Sequence, residues 1–152
     1  MFAWDGRHYA IRTRNLPALT AETVEDLVTA AESRTSPFSA INMHHFHGAA
    51  ARVPPQATAF GVRREHLMTE IIASWRPVAG EPAGSGATHR RWAGHAADLL
   101  APHALPGGYP NLLAADHTEQ IAHAYGPNAT RLTELKKAYD PDHVFTDTPL
   151  PA

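Results

Sequence analysis

Three histidines that lie close together in the sequence are the first residues that could do chemistry. His44, His45 and His47 occupy one short segment, and the alternation of side chains along a strand would place His45 and His47 on the same face. A His-x-His pair can bind a metal ion, but it needs a third ligand, and no carboxylate lies nearby in sequence. We therefore predict catalytic roles in acid–base chemistry or hydrogen bonding for His45 and His47 and no metal site, with plain surface histidines as the alternative.

A carboxylate inside an apolar run is the second feature that could do chemistry. Glu70 follows Leu67-Met68 and precedes Ile71-Ile72. If its side chain faces inward, Glu70 is a candidate general acid or base; if it faces outward, it is the solvent side of a strand. An apolar wall with a few polar groups is typical of small-molecule sites. The residues of this region that we predict to bind substrate are Ile41, Met43, Thr69 and Ile71.

The composition excludes several classes of protein. The 152 residues are 43% hydrophobic with a formal net charge of −2, which predicts one folded domain over residues 1–152 rather than a disordered chain. There is no basic excess for nucleic acid, no apolar run of membrane-spanning length and no secretory signal at the start. With no cysteine, disulfides and thiolate chemistry are excluded. A cytoplasmic enzyme or binding domain is the expectation that remains.

The elements that must position these residues follow from periodicity and from turn-forming residues. Thr20 is predicted to cap a helix over 20–34 that buries Val24, Leu27, Val28 and Ala31. Predicted strands cover 8–14, 38–50, 57–63 and 66–75, with a helix as the alternative for the last. Further helices are predicted over 88–101, from an Asp116 cap to Tyr125, and from an Asn128 cap to Tyr139. This order predicts an α+β fold with an antiparallel sheet covered on one face by helices.

The C-terminal segment resembles a known family. Residues 125–136, which read YGPNATRLTELK, precede YDPDHVF at 139–145, and together they are similar to the C-terminal signature of berberine-bridge-enzyme-like FAD-linked oxidases. The GGYPN segment at 107–111 resembles the family's Tyr-x-Asn segment beside the flavin. The HGAAARVP segment at 47–54, with TAF at 58–60 and Arg63, resembles its substrate-domain strand pair. The resemblance runs from about Ser39 to Phe145, and its C-terminal motif covers 107–147.

The resemblance implies a truncated substrate domain of such an oxidase. It places Tyr109, Asn111 and Asn128 at positions that face the isoalloxazine and the substrate, although an Asn before a helix is also explained by capping and a Tyr by core packing. The family's glycine-rich phosphate loop and its flavin-linked cysteine have no counterpart in this sequence. The expectation is therefore that the chain has no cofactor of its own, with FAD supplied by a partner subunit as the alternative.

Three functional hypotheses follow from the residues and the resemblance. The first is a flavin-independent enzyme of natural-product tailoring that promotes cyclisation or isomerisation of a small apolar metabolite. The second is the substrate-binding subunit of a split FAD-dependent oxidoreductase, and the third is a non-catalytic ligand-binding or scaffold protein. An incomplete sheet leaves an open edge and an exposed apolar face, so we also expect a homodimer. Nucleic acid and membrane are not expected as partners.

Overall fold

The computed structural model describes residues 6–77, 86–146 and 149–150. Its sheet has three antiparallel strands in the order β1-β3-β2, with β1 at His8–Leu16, β2 at Ala40–Phe46 and β3 at His66–Trp75. Segment 66–75 is therefore a strand and not a helix. The α-helices are α1 (Ala21–Glu32), α2 (Ala49–Arg52), α3 (Ala87–Leu100), α4 (Thr118–Ala124) and α5 (Ala129–Tyr139). The predicted α+β fold is confirmed.

Helices α1 and α3 cover one face of the sheet, which we call the helix-covered face. Alternate residues of the central strand β3 point towards them, since side chains alternate between the two faces of a strand. The buried core on this face consists of Leu16, Ala30, Ile71, Ala73, Trp75, Trp92, Ala93, Ala96, Ala97 and Leu100. The opposite face carries the intervening residues of β3, namely His66, Met68, Glu70, Ile72 and Ser74, and we call it the Glu70 face.

The predicted cap of α1 is confirmed, and its predicted buried side is correct for Leu27, which packs against the core, but wrong for Val24 and Val28. The Thr20 hydroxyl accepts a hydrogen bond from the backbone N–H of Thr23 at 3.2 Å. Val24 and Val28 are 44% and 51% exposed, whereas Thr23 and Ala30 are buried. The bulky Trp92 of α3 packs at this contact and donates its indole N–H to the Ala30 carbonyl at 2.8 Å. The small residue Ala30 lies at this contact, because it leaves room for the indole ring.

Two predicted strands are shorter or absent. β2 ends at Phe46, and Gly48, with a φ of +62°, leads into the short helix α2. Residues 57–63 form turns and irregular loop rather than a strand. The large residues of that segment are few, and neighbouring side chains bond its carbonyl groups, so the segment is held without a ladder partner.

The C-terminal helices begin differently from the prediction. The Asp116 side chain does not cap α4, which starts at Thr118 after His117, and instead pairs with Arg12 at 3.1 Å. Asn128 precedes α5 as predicted, but its side chain makes no capping bond. No helix in the described ranges 6–77, 86–146 and 149–150 is long and apolar enough to cross a membrane.

A hydrogen-bonded turn follows α5. The Asp140 carboxylate accepts hydrogen bonds from the backbone N–H groups of Val144 at 2.8 Å and Phe145 at 3.1 Å. The Lys136 ammonium group donates to the same carboxylate and to the Phe145 carbonyl. The Lys136 hydrogen bond is the main cause that lowers the pKa of Asp140 to about 2. The turn is thus fixed by charge-assisted bonds on both sides.

Candidate functional site

Glu70 lies in the middle of the sheet and is paired with a histidine. In the strand register, Thr13 of β1 and Asn42 of β2 flank it on the Glu70 face. The residue is only 7% exposed, and its Oε2 atom lies 3.3 Å from Nε2 of His44, whose side chain is 52% exposed. A nearly buried carboxylate therefore communicates with solvent through one imidazole. This geometry suits a group that takes up a proton and passes it on.

The structure does not bring the other predicted strand residues to Glu70. Ile41, Met43 and His45 of β2 share the helix-covered face with Thr69 and Ile71 of β3, as the register requires. Thr69 and Ile71 are fully buried beneath the helices, whereas Met43 is 46% exposed. A substrate that reaches Glu70 would not contact these five residues, because they lie on the other side of the sheet.

The histidines at the end of β2 and the start of β3 have different surroundings. The rings of His45 and His47 lie 4.3 Å apart, with His47 just beyond the end of β2. His66 bonds through Nδ1 to the Arg64 carbonyl at 2.7 Å and stacks on Phe46, and burial lowers its pKa. Over the part of the chain that the structure describes, no group of three His, Cys, Asp or Glu side chains could hold a metal ion.

An aromatic cavity opens near one end of the Glu70 face. Its volume is about 400 Å³, within the range of small-molecule sites. Tyr109 and Asn111 lie in its wall, and the Asn111 amide donates to the Tyr109 hydroxyl at 3.4 Å. The main lining residues of this aromatic cavity are Phe46, Phe60, Arg63, Tyr109, Asn111 and Tyr125. The rings of Phe46, Phe60 and Tyr109 contact one another with centroids 5.6 to 6.3 Å apart.

The loop before β3 is held in place by Arg63. Its guanidinium donates to the Phe60 carbonyl at 3.1 Å, the Ala50 carbonyl at 3.3 Å and the Thr58 hydroxyl at 2.5 Å. The same group lies 5.0 Å from the centre of the Phe60 ring. Arg63 thus positions one wall of the aromatic cavity.

Asn128 ties the same loop to the C-terminal helices. Its amide nitrogen lies 2.7 Å from the Pro55 carbonyl, 3.0 Å from that of Thr58 and 3.5 Å from that of Ala59. Gly61 allows this close approach, since a Cβ there would lie 2.3 Å from the Tyr125 carbonyl oxygen. The structure therefore gives Asn128 a part in shaping the loop behind the aromatic cavity.

The large apolar residues on and after the last helix are mostly exposed. Leu132 packs against the smaller core cluster of Leu113, Ile121, Ala124 and Tyr125. Leu135 is 41% exposed, Tyr139 84%, Val144 71% and Phe145 77%. A second cavity of about 510 Å³ lies beside Leu132 and Phe145 and shares Tyr125 with the aromatic cavity. We call the exposed residues Leu135, Tyr139, Val144 and Phe145 the C-terminal apolar surface.

Sequence reasoning missed the partner of Glu70 and most of the aromatic cavity. The alternation of side chains along a strand shows that His44 and His45 lie on opposite faces of the sheet. The register that places His44 beside Glu70, however, depends on pairing between strands that are distant in sequence. Phe46, Phe60, Arg63 and Tyr125 come from separate elements that only the fold brings together. The aromatic content of the GGYPN and TAF segments was the signal that could have indicated them.

Comparisons with known proteins confirm the resemblance seen in the sequence. The family model described as "Berberine and berberine like" matches residues 108–149. A relative in Bacillus subtilis (strain 168), described as "Uncharacterized FAD-linked oxidoreductase YvdP", is 34% identical over 98 residues, which are 64% of this chain and 21% of the relative.

Solved structures match the fold of almost the whole chain. A berberine bridge enzyme variant described as a reticuline dehydrogenase superposes with a TM-score of 0.79 at 18% identity, covering 99% of this chain and 34% of that one. The wild-type berberine-bridge-enzyme-like protein 1 of Physcomitrella patens gives 0.75 at 19% identity, covering 96% and 31%. The chain thus spans about a fifth of the curated relative and about a third of these solved proteins.

Proposed function

We propose that this chain, a homologue of the C-terminal part of berberine-bridge-enzyme-like FAD-linked oxidases, supplies the substrate-facing wall and the catalytic base of an FAD-dependent oxidoreductase. The observation that carries the proposal is the Glu70–His44 pair on the sheet face at whose end the aromatic cavity opens. This carboxylate is 7% exposed, lies on the face away from the core helices and is paired with an imidazole that reaches solvent. Buried carboxylates with one ionisable partner are typical of catalytic sites.

The chemistry assigned to this chain is proton removal. Oxidation of an alcohol or amine releases a proton from the O–H or N–H group along with a hydride from carbon. Glu70 Oε2 accepts that proton, and His44, which lies 3.3 Å away and is half-exposed, passes it to solvent. The aromatic cavity holds the substrate's ring and so orients the reacting group.

The residues present fit one portion of FAD. Under the proposal, Tyr109 and Asn111 contact the planar flavin ring, and Phe46 and Phe60 contact the substrate. The sequence has no glycine-rich phosphate loop directly after a strand, so the pyrophosphate needs protein outside this chain. A bound FAD would supply the hydride acceptor for the oxidation.

The C-terminal apolar surface supports a contact with a second protein or domain. Four large apolar side chains there are between 41% and 84% exposed, and large exposed apolar surfaces usually mark protein contacts. Under the proposal, the FAD-binding body covers this surface. A second copy of the chain is the alternative cover, and it would make the protein a homodimer.

Flavin titration tests the proposal. The purified protein is first examined for bound flavin by absorbance and then titrated with FAD and, separately, with lumiflavin, which has the ring system alone. We expect both flavins to lose fluorescence on binding with dissociation constants within about threefold, because this chain contacts the ring and not the phosphates. Glu70→Gln is the matched control and should leave flavin binding unchanged, because Glu70 acts on the substrate. Absence of any spectral change with either flavin would refute the proposal.

A flavin-independent enzyme is the second candidate, and the aromatic cavity favours it. This chain alone supplies a cavity of about 400 Å³ with aromatic walls, an amide and a guanidinium. Cyclisation or isomerisation of an apolar metabolite without net redox needs mainly a shaped, water-excluding site with one or two positioned donors. This candidate would be favoured if the protein bound neither flavin but its melting temperature rose on addition of small aromatic ligands.

A further inference from the structure

We propose that the aromatic cavity binds an aromatic substrate that carries an acidic group, and that Arg63 is the residue that selects for that acid. The inference rests on the proposed function, since it names the substrate class of the same site. It depends on the charge, the unused hydrogen-bonding capacity and the position of Arg63.

The charge of Arg63 has no carboxylate partner. Ion pairs join two arginines of the described residues to acids, Arg12 to Asp116 and Arg14 to Glu119. For Arg63, no carboxylate among the described residues lies within ion-pair distance, and its recorded partners are two carbonyls and one hydroxyl. A half-buried guanidinium with neutral partners keeps its full charge, because arginine does not lose its proton.

Arg63 also keeps hydrogen-bonding capacity. A guanidinium has five N–H groups, and three of these are used in the bonds to Phe60, Ala50 and Thr58. Two N–H groups remain, one on each terminal nitrogen. A carboxylate is the group that such a planar pair of donors binds best. The three existing bonds fix the guanidinium in advance, so little rotational freedom is lost on binding.

The surroundings of Arg63 select for an aromatic ring. The rings of Phe46, Phe60 and Tyr109 form one contacting cluster along the cavity. Arg63 lies against the Phe60 ring and lines the same cavity. A planar ligand can therefore stack on the aromatic cluster while its acidic group meets the guanidinium.

The cavity and the catalytic pair share one sheet face. Phe46 pairs with His66 on the Glu70 face, and His44 lies two residues before Phe46 on the same face. His44 in turn contacts Glu70 at 3.3 Å. A substrate anchored by its acid at Arg63 thus points along the strand towards the base, so the oxidised group must lie on the far side of the ring from the acid.

A pair of probes tests the inference on the unaltered protein. 2-Naphthoate and its neutral isostere 2-naphthamide differ in charge and hardly in shape. Titration calorimetry should give a dissociation constant at least about tenfold lower for naphthoate at low salt, and the difference should shrink as salt rises. Equal binding of the two probes, or binding of neither, would overturn the inference without touching the flavin titration, which reports on the proposed function separately.

Variants of Arg63 then assign the preference to this residue. Arg63→Gln should bring the ratio of the two dissociation constants close to one, a ratio in which any loss common to both probes from the disturbed Phe60 wall cancels, and Arg63→Lys should restore part of the preference as a point charge. Arg52→Gln is the matched control, since Arg52 is exposed on α2 and does not line the cavity. Circular dichroism checks that each variant is folded. A folded Arg63→Gln protein that still prefers naphthoate would refute the assignment.

Discussion

Asn128 offers a direct test of whether its side chain caps a helix or pins a loop. The residue is 7% exposed, and two of its three carbonyl contacts, at 2.7 and 3.0 Å, have ordinary hydrogen-bond lengths. Each lost bond costs about 1 kcal/mol, and a buried carbonyl left without a donor adds further cost. Asn128→Ala should therefore lower the free energy of unfolding by about 2–4 kcal/mol. For a chain of this size, the melting temperature should fall by roughly 5–12 °C.

The aspartate variant separates the two roles. Asp and Asn are equally good helix caps, so a capping role predicts that Asn128→Asp is tolerated. In the loop-pinning role, a carboxylate would face the carbonyl oxygens of Pro55 and Thr58, and Asn128→Asp should be at least as unstable as Asn128→Ala. Urea unfolding followed by circular dichroism measures both variants. Thr20→Asp, at a true cap, is the control and should stay within about 0.5 kcal/mol of the parent. A stable Asn128→Asp protein would refute the reasoning.

Three further predictions can be checked by the same unfolding assay. Gly61→Ala should cost about 1–3 kcal/mol because its Cβ would meet the Tyr125 carbonyl oxygen, whereas Gly94→Ala, in open space on α3, should gain about 0.5–1 kcal/mol. Burial lowers the pKa of His66 in the folded state, so the unfolded chain binds more protons below pH ~6.5 and stability should fall as the pH drops from there; His66→Gln should flatten this slope, and an unchanged slope would contradict it. Leu135→Ala should cost less than about 1 kcal/mol and Leu100→Ala about 2–5 kcal/mol, since Leu135 is 41% exposed and Leu100 is fully buried; equal costs would mean that a second copy covers Leu135.

Local signals predicted much of the secondary structure. The Thr20 cap, the strand at β1, the helix α3 and the end of α4 near Tyr125 depend on neighbouring residues, and the sequence shows them directly. The family motif was equally readable, since it lies in one continuous segment.

Features that depend on distant contacts could not be predicted. The side of α1 that is buried depends on where Trp92 packs, and apolar periodicity favoured Val24 and Val28 instead. The Glu70–His44 pair depends on the register between β2 and β3. Asn128 directly precedes a helix, so its position in the sequence suggested a capping role. The loop to which its side-chain amide donates hydrogen bonds is distant in sequence, and nothing local indicates that contact.

The turn held by Asp140 has a consequence for any protein that docks on the C-terminal apolar surface. Val144 and Phe145 project from a backbone that the Asp140 carboxylate already fixes. Because the pKa of that carboxyl is about 2, it stays ionised and keeps its hydrogen bonds to the turn at neutral and mildly acidic pH. A docking partner therefore meets a rigid apolar surface and loses little backbone entropy on contact. Recognition at this surface should therefore depend on complementarity of shape between two preformed surfaces rather than on folding coupled to binding.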